Sequence, residues 1–333
     1  MKTIRWGIVG CGDVTEVKSG PGFAKAANSA LVAVMRRDGA LAADYARRHG
    51  VPRWHDDADA IIRASDIDAV YVATPPSTHR AYVERCAAAG KPVLVEKPMA
   101  VDAAECEAMI AACREARVPL WVAYYRRALP RFLAVRNLVR DGAIGEVRMV
   151  TTRHFARTSL TPTQAWRVDP AVSGGGLFLD VASHTLDFLD FLFGPIETVR
   201  GFAGNQAGAY VPEDSIAASW RHAGGVLGNG AWCFAAGFDD ESNEIVGSRG
   251  RVVFSTTRPL PIRLRRGAAV EEVPVGDPPH VHQPLIQTIV DELNGSAACP
   301  STGESALRTT AVADAILREY RRHAMKELAC RAR

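Results

Sequence analysis

Two hydrophobic rhythms divide the chain. Up to about residue 123, short β-branched runs alternate with longer Ala-rich stretches of helical period. Residues 4–9, 31–35, 69–73, 92–96 and 120–124 predict strands; 40–49, 56–64, 78–89 and 103–116 predict the helices between them. Such alternation implies βαβ units and a parallel sheet covered on both faces. After Pro130 one helix, at 132–140, gives way to strands in series at 147–155, 197–204, 215–221, 226–233, 243–246, 251–255 and 262–265. The connections at 222–225 and 248–250 are turn-like, and strands without intervening helices predict an antiparallel sheet. Helices at 285–293 and 304–324 close the chain. The expected fold is α/β: a parallel doubly wound domain over 1–123, then an α+β domain with a large, mainly antiparallel open sheet over 124–333. Its C-terminal helix is free to pack back on the first domain.

Composition narrows the class without changing this picture. At 333 residues the chain is too long for one ordinary core. With 47% apolar and 23% charged residues, a disordered or collagen-like chain is excluded. The net charge of +3 implies no polyanionic partner, and no nucleic-acid motif is visible. Seven cysteines (Cys11, Cys86, Cys106, Cys113, Cys233, Cys299 and Cys330) form no C-x-x-C pair and read as reduced thiols rather than a disulfide scaffold. The N-terminus enters a strand directly, without a signal-peptide stretch. The most apolar window, 174–193, carries Asp180, His184, Asp187 and Asp190, so it is no membrane span. A cytoplasmic protein is expected.

The first strand ends in Gly10-Cys11-Gly12-Asp13-Val14-Thr15. Gly10 and Gly12 fit the first two glycines of the dinucleotide fingerprint, with the backbone N–H groups at Asp13 and Val14 opening the next helix toward a pyrophosphate. Thr15 stands where the third small residue belongs, and Gly20-Pro21-Gly22 should break that helix early. Lys18, just before the break, reads first as a solvated lysine. The second strand ends in Arg36-Arg37, with no carboxylate before Asp38. A guanidinium binds a 2′-phosphate that a carboxylate would repel, so NADP is expected over NAD.

Val95-Glu96-Lys97-Pro98 places a lysine at the carboxyl end of a parallel strand, where ligands bind in such sheets, and Pro98 is a candidate for a cis peptide. With the glycine turn, this E-K-P resembles the glucose–fructose oxidoreductase, inositol dehydrogenase and rhizopine-catabolism (Gfo/Idh/MocA) family. Thr74-Pro75-Pro76 followed by His79 is similar to that family's fourth-strand signature. Trp166-Arg167 and Gly174-Gly175-Gly176 through Asp180, His184 and Asp187 are similar to its second-domain signature. The resemblance runs from Trp6 to about Tyr320.

It implies a Rossmann domain for NAD or NADP and a second domain whose open sheet mediates homodimer or homotetramer assembly. It further implies alcohol–ketone interconversion on a sugar, polyol or related small molecule. The family's catalytic lysine falls on Lys97, and its Asp and His on Asp180 and His184, which also contact substrate. Tyr125 and Arg127 fall at substrate-side positions, and Arg126 reads as solvent-facing. Thr74, Pro75, His79, Glu96, Trp166 and Arg167 fall on the cofactor side, although His79 reads more readily as packing its helix. The residue chemistry is consistent: Asp180 and His184 are four apart, sharing one helix face. An imidazole can take a hydroxyl proton while an ammonium stabilises the developing alkoxide. Asp180, His184 and Asp187 also suit a divalent metal, but Lys97 would oppose a second cation, and no metal is expected. Two other readings share these motifs: a non-catalytic NAD(P)-sensing regulator, and a nicotinamide-assisted lyase or glycosidase without net redox change.

Overall fold

The computed structural model describes the backbone of residues 1–331 and side chains through residue 323. Contacts divide the chain into two units: residues 1–129 with 277–307, and residues 130–276 with 308–333. The first boundary lies six residues beyond the expected 123, and a return segment from the far end of the chain completes the first unit.

That unit holds β1 (Ile4–Val9), α1 (Asp13–Val17), α2 (Gly20–Lys25), β2 (Ser29–Met35), α3 (Gly39–His49), β3 (Arg53–His55), α4 (Asp59–Ile62), β4 (Ala69–Val72), α5 (His79–Ala88), β5 (Val93–Val95), α6 (Ala103–Glu115) and β6 (Leu120–Val122). The strands pair in parallel in the order β3-β2-β1-β4-β5-β6. Strands β4, β5 and β6 are buried throughout, as in a sheet whose two faces are covered by helices. The predicted break is present: the helix after β1 stops at Val17 and restarts at Gly20, with Pro21 in the first turn of α2.

The second unit holds α7 (Pro130–Arg140), β7 (Val147–Arg157), α8 (Pro170–Ser173), α9 (Leu177–Phe193), β8 (Ile196–Gly204), β9 (Ser215–His222), β10 (Leu227–Cys233), β11 (Ala235–Gly247), β12 (Gly250–Phe254), β13 (Ile262–Arg266) and β14 (Ala269–Val273). They form one sheet in the order β14-β13-β12-β11-β7-β10-β9-β8, antiparallel except for the parallel β7–β10 pair. Its inner face carries Trp220, Trp232, Ile245, Val252 and Phe254, all buried, with Phe178 of α9 edge-on to Trp232 at 5.1 Å. The opposite face shows Met149, Phe202 and Leu227 to solvent. After β14 the chain re-enters the first unit as α10 (Gln283–Leu293) and begins α11 (Gly303–Arg331), which passes into the second unit at Arg308. The apolar stripe Leu285, Ile286, Ile289 and Val290 buries α10, with Ile286 and the Gln283 backbone against Gly22 of α2. Six cysteines are free thiols, Cys330 lies outside the described side chains, and no helix of the described residues is long and apolar enough to cross a membrane.

Candidate active site

At the end of β1 the Gly10 and Cys11 N–H groups donate to the Met35 carbonyl, 2.8 and 3.0 Å away. This turn needs φ +94° at Gly10, where an added Cβ would also lie 2.7 Å from Thr74 Cγ2. Gly12 answers a different need. A Cβ there would meet nothing within 4 Å, so the backbone opening α1, with exposed Asp13 and half-buried Val14, faces open space. Burial pushes the Cys11 thiol up to about 11, which makes it inert. At the end of β2, Arg36 is half-buried with Nη1 3.5 Å from the Cys11 carbonyl, and Arg37 is exposed. Asp38 caps α3, accepting from the Leu41 N–H at 3.1 Å. A bare turn backbone beside two arginines fits a dinucleotide phosphate group.

The turn after β4 is fixed from behind. Pro75 leads a short 3₁₀ turn, the Thr78 hydroxyl donates to Thr74 Oγ1 at 2.8 Å, and the buried His79 ring lies 2.6 Å from the Thr74 carbonyl and 3.1 Å from that of Met99. Burial lowers the His79 pKa, and both ring nitrogens face backbone carbonyls, so the ring packs the turn rather than reaching toward a ligand.

Glu96 and Lys97 follow β5, and the Lys97–Pro98 peptide is cis as expected. Lys97 is half-buried, while the Glu96 side chain turns inward. The Tyr71 hydroxyl donates to Glu96 Oε1, and the Lys97 backbone N–H donates to Oε2 at 3.1 Å. Burial raises the Glu96 pKa, against the opposing pull of Tyr71 and the Lys97 charge. Two residues the sequence did not single out complete this group. The Ser19 hydroxyl oxygen lies 3.2 Å from that of Tyr71, and His282, from the return segment, brings Nδ1 to 3.6 Å from Glu96 Oε1. The Tyr125 ring stacks on His282 with centroids 4.4 Å apart. Arg126 is buried over the Tyr125 ring rather than solvent-facing, and Arg127 donates to the Pro300 carbonyl at 3.2 Å, a contact that anchors the return segment.

In the second unit two of the three glycines have separate reasons. Gly174 ends α8 in the left-handed region, and Gly176 opens α9 against the Glu213 backbone, where a Cβ would lie 2.8 Å from its carbonyl oxygen. Glu213, also missed from sequence, accepts the Gly176 N–H at 3.0 Å on Oε1. Helix α9 then presents half-buried Asp180 and buried His184 one turn apart. Arg167 stands 3.3 Å from Asp180 Oδ2 with its guanidinium 4.6 Å over the Trp166 ring. Asp187 is fully buried, and Arg308 grips Asp190 through two bonds of 2.7 and 2.8 Å. Among the described residues no three of His, Cys, Asp or Glu gather as a metal site.

Comparisons with known proteins identify the family. Residues 4–124 match the oxidoreductase family with the NAD-binding Rossmann fold, and residues 132–253 match the Gfo/Idh/MocA C-terminal domain. Oxidoreductase P35 of Formosa agariphila is 37% identical over 93% of this chain and 97% of its own. Inositol 2-dehydrogenase of Rhizobium meliloti is 32% identical over 95% and 96%. The crystal structure of aldose-aldose oxidoreductase from Caulobacter crescentus, complexed with glycerol, superposes with a TM-score of 0.86 at 29% identity, covering 97% of this chain and 98% of that one. The chain thus belongs to the Gfo/Idh/MocA oxidoreductases.

Proposed function

We propose that the protein interconverts an alcohol and a ketone or aldehyde on a sugar, polyol or related small molecule, with Lys97, Asp180 and His184 as its catalytic residues. The observations that carry this reading are Lys97 just after the carboxyl end of β5 and, in the second unit, an Asp–His pair on one face of α9. The names of the inositol and aldose relatives support the substrate class. The dinucleotide would rest on the Gly10–Gly12 turn and, when bound, supplies or accepts the hydride. Lys97 holds an ammonium toward the substrate oxygen as it gains negative charge, His184 takes or returns the hydroxyl proton, and Asp180, set by Arg167, binds a hydroxyl. Incubation with NADP or NAD and a panel of polyols and aldoses tests this. Reduced nicotinamide accumulates with at least one substrate; a cofactor that binds but never turns over points to a sensor.

Preference for NADP belongs to the same proposal. Asp38 is committed to capping α3, which leaves Arg36 and Arg37 to meet the ribose end. NADPH should bind about tenfold more tightly than NADH, and Arg36→Ala or Arg37→Ala should erase most of that margin, as for a lost charge-assisted hydrogen bond. Fluorescence titration with both nucleotides measures it; tighter NADH binding in the unmodified protein reverses the assignment.

The open sheet face is proposed to join copies of this chain. One row across it runs Phe202, Ala217, Ala231, Arg153 and Ser242, and another includes Arg221, Leu227, Met149 and Val246. Phe202 is 77% exposed and Leu227 52%, amounts of apolar surface that assembly would remove from water. Light scattering at micromolar concentration should give a dimer or tetramer, and Phe202→Glu should shift it toward monomer. Residence in the cytoplasm fits the six free thiols.

A further inference from the structure

The helix break after β1 leaves its carbonyls to other partners. The Val17 carbonyl lies 2.7 Å from His280 Nδ1, and the Lys18 carbonyl accepts the His282 N–H at 3.1 Å. The return segment is thereby docked so that His282, 1% exposed, enters the interior beside Glu96. Several elements face it. Lys18 and Ser19 come from the α1–α2 break, Tyr71 from β4, Glu96 and Lys97 from the end of β5, and Tyr125 and Arg126 from the turn after β6. His282 Nδ1 has no hydrogen-bond partner, although burying it without one is costly. The nearest carboxylate oxygen is Glu96 Oε1, at 3.6 Å, and an approach of about half an ångström makes that a hydrogen bond.

We propose that His282 is a positioning residue that, as a neutral imidazole, donates its Nδ1 proton to Glu96 and so keeps a carboxylate next to Lys97. Burial and the positive charges of Lys18, Lys97 and Arg126 all oppose a proton on both ring nitrogens, and His282 is accordingly held well below the usual histidine range. The single proton of the neutral ring is therefore free to sit on Nδ1. Glu96, whose burial favours the neutral acid, then has three donors that favour its anion: the Tyr71 hydroxyl, the Lys97 backbone N–H and the imidazole. An anion at that place orients the Lys97 ammonium and balances it between turnovers. The role deepens the reading of Lys97 as catalytic and rests on it.

Infrared pH-difference spectra of the cofactor-free protein test the donor directly. The protonated-carboxyl band of Glu96 is the one lost in Glu96→Gln. His282→Phe keeps a ring to stack on Tyr125 but has no donor; His282→Asn loses the ring but places an amide N–H near Nδ1. The Glu96 band should titrate at higher pH in His282→Phe and in Tyr71→Phe, and close to its original midpoint in His282→Asn. In the holoenzyme, His282→Phe should lose about tenfold in kcat with KM within about twofold, and His282→Asn should recover most of it. An unmoved midpoint in His282→Phe, or one displaced as far in His282→Asn, overturns the proposal. Should His282→Phe fail to fold, His282→Leu, which likewise has no donor, is compared with His282→Asn in the same way. The infrared arm is independent of turnover, so it fails or succeeds whether or not Lys97 proves catalytic.

Discussion

Replacing Lys97 with Met lowers turnover by about three orders of magnitude while NADPH still binds within about tenfold of the original affinity. The asymmetry follows from where the ammonium acts. A carbinol oxygen carries little charge in the ground state and nearly a full one as its proton and hydride depart. A fixed cation therefore interacts much more strongly with the transition state than with bound substrate. Methionine keeps the length and apolar stem of the side chain, and the backbone N–H that donates to Glu96 remains. Single-turnover hydride transfer followed by nicotinamide absorbance, with nucleotide binding by fluorescence, separates the two quantities. Equal losses in both would make Lys97 a binding residue, and near-normal hydride transfer would remove it from the chemistry.

Replacing Glu213 with Ala lowers unfolding free energy by about 3 kcal/mol, from an orphaned buried N–H together with the cavity left by the side chain. Glu213 is 2% exposed, and its Oε1 serves the first-turn N–H of the helix that carries Asp180 and His184. Activity should fall along with stability, since the start of α9 loses its anchor. Glu213→Gln preserves an acceptor and should cost less. Its pH dependence has a definite sign. Burial raises the Glu213 pKa above the usual carboxylate range, outweighing the backbone N–H donors and Arg321. The wild-type carboxyl therefore favours folding most when protonated, and that contribution fades as pH rises from about 4.5 through the folded-state value. The penalty of Glu213→Gln should thus shrink toward neutral pH in urea melts of both proteins. A penalty that grows with pH would show the carboxylate to be the favoured form.

The parts of this fold that repeat were readable from the sequence. Five parallel strands were expected within a residue or three of their ends, because each is a buried β-branched run between helical periods. The edge strands β3 and β14 were not, since Arg53-Trp54-His55 and Ala269–Val273 lack a buried face. Strand β11 was expected only over 243–246, because its first half is acidic and largely open to water. Among the candidate site residues, those in contiguous motifs are legible in the sequence: Gly10, Gly12, Lys97, Asp180 and His184. Tyr71, Glu213 and His282 were not, because each acts through a partner distant in sequence. A lone histidine before a helix carries no sign that the chain will return it to Glu96.

The route of the chain through the first unit matters at the ribosome. Residues 1–129 emerge first, but α10 and the strand-like contact of Thr302 with Trp121 are made about 180 residues later. At ordinary elongation rates that interval is on the order of ten seconds, during which the surface that will receive Leu285, Ile286, Ile289 and Val290 is without its cover. Nascent chains arrested before residue 277 should therefore recruit a chaperone that binds apolar surface, and chains arrested well beyond residue 307 should not.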